Sequence, residues 1–212
     1  MNTFSPGESI KFGWETFKKR PWFLVGVTLV IFVASAIGHL FSPGYGKDLY
    51  GAVALIGFLI STAISLLIDM GSINIALKAN ENVDTITLQD LWHPQPFWNY
   101  LGAAILTGLC VVAGLILLVI PGMVVALMLI FVKYLVIDRN LSPIAALKES
   151  NRITKGHKWQ LFGLLLVVIL LNIIGALLLG IGMLVSIPVT MLALAHAYRT
   201  LERSASEITP SA

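Results

Sequence analysis

Residues 159–198 read WQLFGLLLVVILLNIIGALLLGIGMLVSIPVTMLALAHAY, a stretch without a single aspartate, glutamate, lysine or arginine. As one helix it would be about 60 Å long, twice the apolar thickness of a bilayer. Gly180-Ile181-Gly182 lies near its middle, and glycine accepts the backbone angles of a tight turn. The stretch therefore predicts two membrane spans joined by that turn. Residues 91–132 are also uncharged and break at Ile120-Pro121-Gly122, where proline suits the first turn of a new helix. Residues 21–46 and 49–68 hold about one span each. The expectation is six spans.

Composition agrees. Apolar residues make up 57% of the chain and charged residues 12%, against roughly 25% charged in an average soluble domain. Assigning six spans puts Lys11, Lys18, Lys19, Arg20, Lys78, Arg139, Lys148, Arg152, Lys155, Lys158, Arg199 and Arg203 on one side and Lys47 on the other. The excess of basic residues on cytoplasmic loops then places both termini in the cytoplasm, and the expected location is a bacterial inner membrane. The net charge of +3 suits an anionic leaflet and does not call for nucleic acid. No cleavable signal peptide is apparent, because an amphipathic segment precedes the first apolar run. Cys110, the single cysteine, excludes an intrachain disulfide and reads as a small apolar residue in the third span.

A tryptophan is followed four residues later by a glycine at Trp22/Gly26, Trp98/Gly102 and Trp159/Gly163. The first and third belong to an ungapped alignment of Ser5–Leu40 with Ser142–Leu177, in which twelve of thirty-six positions are identical. The Ser-Pro, lysine and tryptophan identities within it are not expected from apolar composition alone. A repeated unit follows: an amphipathic segment, an interfacial tryptophan, then a hairpin. Units of about 5–79, 80–140 and 141–204 make a single six-span domain with a flexible cytoplasmic tail at 205–212. The expected fold is all-α and integral to the membrane, with three parallel repeated hairpins and short cytoplasmic amphipathic helices.

Ser5-Pro6-Gly7-Glu8 reads as a capping box. Behind it Ile10, Gly13, Trp14 and Phe17 form one helical face and Lys11, Glu15 and Lys18 the other, the division of a helix lying in the interface. Ser142-Pro143 opens the equivalent segment, with Lys148, Glu149, Arg152 and Lys155. The middle unit has only a short version around Leu88–Trp92, interrupted by Pro94 and Pro96. In the second span a helical pattern runs from Leu49 to Ala79, about 46 Å, so it must tilt, bend near Gly71 or project from the membrane.

Ile120-Pro121-Gly122, the span end Val136-Ile137-Asp138-Arg139-Asn140, the run Ser142-Pro143-Ile144-Ala145-Ala146-Leu147-Lys148-Glu149-Ser150 and Thr154-Lys155-Gly156 form a recognisable set. The chain resembles the bacterial integral-membrane domain fused to some glycerophosphodiester phosphodiesterases, and related stand-alone membrane proteins. The resemblance is strongest over residues 87–200. In the fused proteins a separate soluble domain carries the catalysis, so the resemblance implies a membrane module and not an enzyme.

The residues themselves present no nucleophile elbow, zinc-protease helix or phosphate-binding loop. His39, His93, His157 and His196 are scattered near span ends, and neither metal nor cofactor is expected. Asp69 and Lys133 are the ionisable residues at membrane depth. Either they pair, offsetting a cost of about 2.5–3.5 kcal/mol for a lone charge, or each snorkels to the headgroups. Gly57, Ser61 and Ser65 lead to Asp69 at four-residue spacing. Such a stripe suits close helix packing, or lines a polar path. Asn74, Asn172 and Pro188 are further irregularities, while Trp22, Tyr50, Trp98, Tyr134, Trp159 and Tyr198 fall near span ends. The functional expectation is a non-enzymatic scaffold or accessory subunit. Its partners would be anionic lipids, contacted by Lys11, Lys18, Lys148 and Lys155, and a second copy or another membrane protein. The rival is a small transporter using the stripe that ends at Asp69.

Overall fold

A computed structural model describes residues 4–40, 51–178 and 180–208, without the side chains of 38–40, 51–54 and 207–208. Lys47 and Tyr50, and the side chain of His39, lie outside the described positions. The described regular elements are helical: α1 (Pro6–Lys19), α2 (Pro21–Leu40), α3 (Gly51–Glu81), a 3-10 turn (Leu88–Leu91), α4 (Phe97–Leu117), α5 (Val119–Met128), α6 (Val132–Arg139), α7 (Pro143–Thr154), α8 (Lys158–Leu177) and α9 (Met183–Ile208). Five described segments are long and apolar enough to cross a membrane, counting α5–α6 as one. They become six with the α1–α2 pair, which bends by 101° where Arg20 meets Pro21. Proline restricts the residue before it, so the helix cannot run straight through.

The turns fall close to where glycine and proline place them. Leu118 alone separates α4 from α5, two residues before Ile120, so Pro121 and Gly122 lie in the first turn of α5. Gly180 takes a left-handed φ of 76° between α8 and α9. Beside each turn two glycines let backbones meet. A Cβ on Gly114 would stand 3.0 Å from Gly122 Cα, and one on Gly182 would stand 2.7 Å from Gly175 Cα. Helix α3 stays helical throughout, about 46 Å at 1.5 Å per residue. Helix α9 continues to Ile208, into the segment expected to be a loose tail. The hydroxyls of Ser204 and Ser206 bond to the carbonyls four residues earlier, as helix-compatible serines do.

Burial is one-sided along the spans. The core gathers the first turns of α2, α4 and α8 (Leu24, Val27, Tyr100, Ala103, Leu161, Leu164) and the C-terminal parts of α3, α5–α6 and α9. The opposite ends are bare: Leu55–Ile60, Leu115–Ile120 and Leu177, Leu178 and Ile181 carry largely exposed apolar side chains. A lipid solvent makes such bareness cheap, because acyl chains are as apolar as leucine.

Helices α1 and α7 lie across the packed end, each on one pair of spans. Helix α1 contacts α8 and α9, and α7 contacts α4 and α5 as well as α6. Pro6 approaches Gly163 and Pro143 approaches Gly102; the glycines' Cβ positions stand 3.8 and 2.9 Å from the proline Cγ atoms. Further along, Gly13 packs so closely on α9 that a Cβ would stand 2.4 Å from the Val189 carbonyl oxygen. At the aligned position of α7, Ser150 donates its hydroxyl to the Met128 carbonyl at 2.8 Å. The register that aligns Trp98 with Trp159 also aligns Met128 with Val189 and Gly114 with Gly175. Between α3 and α4 the 3-10 turn sits against α3, where a Cβ on Gly71 would stand 2.0 Å from the Leu91 carbonyl oxygen.

Two details of the amphipathic segments depart from expectation. The Ser5 side chain caps nothing; its carbonyl accepts the Ser9 amide and hydroxyl. The reciprocal cap forms instead at Thr87 and Asp90, around the 3-10 turn. The buried face of α1 is Ser9, Gly13, Thr16 and Phe17, while Trp14 is exposed. Close backbone approach to α9 favours small side chains over the most apolar ones, which turns the face away from Trp14.

Candidate functional site

Asp69 on α3 lies two residues before Gly71, and Lys133 is the second residue of α6. Between α5 and α6 the chain leaves the α-helix at Leu129–Phe131, a break that contains neither glycine nor proline. The Met128 carbonyl at that break is served by hydroxyls from α7, Ser150 at 2.8 Å and Thr154 at 3.3 Å. Both hydroxyl residues are fully buried, which meets the demand that irregular backbone at membrane depth find partners inside the protein. Beyond the break, Lys133 Nζ lies 2.5 Å from Asp69 Oδ2. The same carboxylate oxygen accepts the Tyr100 hydroxyl of α4 at 2.6 Å. The pair thus links α3, α4 and α6, with both charged side chains about half-buried. Of the two readings open in the sequence, separate snorkelling and pairing, the geometry is that of the pair.

Below the pair, Phe131, Tyr134 and Tyr198 cluster with ring centroids 5.6–5.8 Å apart. Tyr198 donates its hydroxyl to Asp138 at 2.9 Å and leads into a network of charges. Arg199 reaches Glu81 at 2.7 Å, Asp138 at 2.8 Å and Glu202 at 3.4 Å. Arg139 pairs with Glu202 and lies 3.3 Å from Glu149, and Glu149 holds Arg152 at 2.7 Å. Four helices, α3, α6, α7 and α9, are fastened by this one network. The Arg152 hydrogen bond holds the Glu149 carboxyl below the usual glutamate range, against the opposing effect of burial. Arg20, at the α1–α2 bend, donates to the carbonyls of Val83, Asp84 and Ile86 and fixes the segment after α3.

Sequence inspection used these cations only to orient the chain and missed the network. Its signals were present as Glu149/Arg152 and Arg199/Glu202 at three-residue spacing, the reach of neighbours on one helix face. The remaining candidates are dispersed. Ser61 and Ser65 bond to carbonyls of their own helix, and Ser65 is exposed. Gly57 is half-buried. Lys11, Lys18, Lys148 and Lys155 are exposed. Trp22, Trp98 and Trp159 point outward with exposures of 87, 79 and 83%. Asn172 bonds to Ser186 and Thr190 across α8 and α9, and Asn74 donates to the Asp90 carbonyl. His196 stacks on Phe12 and His157 meets Phe4 edge-on. Cys110 is exposed on α4. Among the described residues, no three histidine, cysteine or acidic side chains converge as metal ligands.

No curated protein and no solved structure matches the chain. The motifs' resemblance to the phosphodiesterase-associated membrane domain gains no specific support from the comparisons. What residues 102–205, just under half of the chain, do match is the model of an uncharacterised family described as "Protein of unknown function (DUF975)".

Proposed function

We propose that this chain is a non-enzymatic scaffold or accessory module of a bacterial inner membrane, built of three repeated hairpins with both termini in the cytoplasm. The recurring register supports the repeat: the alignment of Trp22 with Trp159 brings together Pro6 with Pro143 and Gly13 with Ser150, that of Trp98 with Trp159 brings together Met128 with Val189, and each pair makes the corresponding contact. The one-sided basic residues support the orientation. One observation carries the function. The polar groups that meet across spans are engaged with each other and fasten the cytoplasmic ends, while the outer ends are bare apolar helix. Asp69, where a transport stripe would end, has one oxygen taken by both Lys133 and Tyr100. Such a design holds a shape within lipid and offers surface for association. Exposed Lys11, Lys18, Lys148 and Lys155 then face anionic headgroups, each contributing on the order of 1 kcal/mol near the surface.

The test is purified protein in liposomes. The scaffold gives no flux of ions or small solutes above empty vesicles, and neutralising the four lysines weakens retention of anionic lipid while the fold survives. A flux that Asp69→Asn abolishes would establish the transporter instead.

A further inference from the structure

Two of the three span pairs carry an amphipathic helix of this chain across their cytoplasmic ends; the α2–α3 pair carries only the short 3-10 turn. Gly26, the counterpart of Gly102 and Gly163, has no atom within 4 Å of its Cβ position. On the same face of α2, Gly26, Val30 and Ala34 recur at four-residue spacing. Val30 and Ala34 open into a groove of about 330 Å³ whose other walls include Ile64 and Ile68 of α3 and Leu91 and Trp92 beside the turn. The volume falls at the small end of ligand sites, ~300–1,000 Å³.

We propose that this groove holds one acyl chain of a membrane lipid, in the place left by the missing amphipathic helix. Each residue lining it is apolar or aromatic, so a polar occupant would lose its hydrogen bonds with water and find no replacement. Ile64 and Ile68 belong to the uncharged run that precedes Asp69, which puts the groove at the depth of acyl chains. Trp92, 69% exposed, forms the rim, an indole at the boundary between chain and headgroup. The charges beside that rim, Lys78 and Asp90, are 2.5 Å apart and cancel. The groove therefore selects a chain and is indifferent to headgroup charge. This deepens the proposed lipid-binding module by naming a site, and its indifference separates it from the lysine contacts.

The experiment is native mass spectrometry of the full chain, transferred to detergent from bilayers of palmitoyl-oleoyl phosphatidylethanolamine or phosphatidylglycerol. A retained lipid adduct is expected with either lipid, also after neutralising the four lysines. Ala34→Phe, which fills the groove, removes the adduct. Val33→Phe, an adjacent exposed position that does not line the groove, keeps it. Should Ala34→Phe fail to fold, proteins retaining only Trp92 or only Trp98 give the same information in micelles doped with chain-brominated lipid. Trp92 fluorescence should fall well before that of Trp98. An adduct that survives Ala34→Phe, equal quenching of the two tryptophans, or a dimer that Ala34→Phe converts to monomer would overturn the proposal.

Discussion

Helices α1 and α7 rest on their helix pairs in one register, whereas the segment between α3 and α4 meets α3 with a single 3-10 turn. In the two filled seats the small residue belongs to the amphipathic helix, Gly13 or Ser150, and the carbonyl to the span, Val189 or Met128. In the third seat the roles reverse: Gly71 of the span makes room, and the Leu91 carbonyl of the turn enters it. Close contact between backbones is the constant, and either partner can supply the space. The filled seats differ as well. Helix α7 is bound into the charge network through Glu149 and Arg152, while α1 has a surface pair, Lys11 and Glu15, at 4.0 Å.

Arg199→Leu tests that last difference and has the largest expected effect. It leaves Asp138 and Glu202, both largely buried, without their central cation, a loss of about 3–5 kcal/mol. Hydrogen exchange should speed up in α7 and the end of α9 more than in α1; equal loosening of both seats would erase the distinction. Next come Gly71→Ala and Gly13→Ala, which push a Cβ into backbone and should each cost near the upper end of ~1–3 kcal/mol in thermal unfolding. Tolerance at either site would mean that the contact is slack.

Gly102→Ala against Gly26→Ala is a smaller and sharper comparison. The first places a methyl 2.9 Å from Pro143, so the proline must yield and thermal stability drops. The second meets nothing, so the helix gains about 1 kcal/mol from alanine's propensity. Equal effects would contradict an open position beside Gly26. Acid gives the mildest change. Burial raises the Asp90 pKa, but hydrogen bonds from Lys78 and Thr87 outweigh it and hold the folded value below the usual one. A lowered folded value means that this stabilisation is complete above the ordinary aspartate range and is lost as pH falls through the folded value. The 3-10 turn should therefore loosen below about pH 4, visible as faster exchange around Thr87–Leu91.

The five or six span-length apolar helices were legible because bilayer thickness converts uncharged length into helices, and the outward tryptophans because an indole prefers the interface. The glycine of each Trp-x-x-x-Gly was visible without its reason. For Gly102 and Gly163 that reason is a proline distant in sequence, Pro143 or Pro6, so no local pattern contains both. The break at Leu129–Phe131 was hidden because its residues are ordinary helix formers; its trace is the pair of hydroxyls at Ser150 and Thr154, remote in sequence. Asp69 and Lys133 were identified as costly charges, but only the break and Tyr100 settle that they meet. On α1, Gly13 and Phe17 of the expected face are buried and Trp14 is not, because closeness outweighs apolarity there.

The most direct test of the interlocked seats is cysteine cross-linking in native membranes on a Cys110→Ala background. Pro6→Cys with Gly163→Cys, and Pro143→Cys with Gly102→Cys, should each form a bond within one chain under mild copper-phenanthroline oxidation. Bonds formed only between chains, or none at both pairs in a folded protein, would contradict the account.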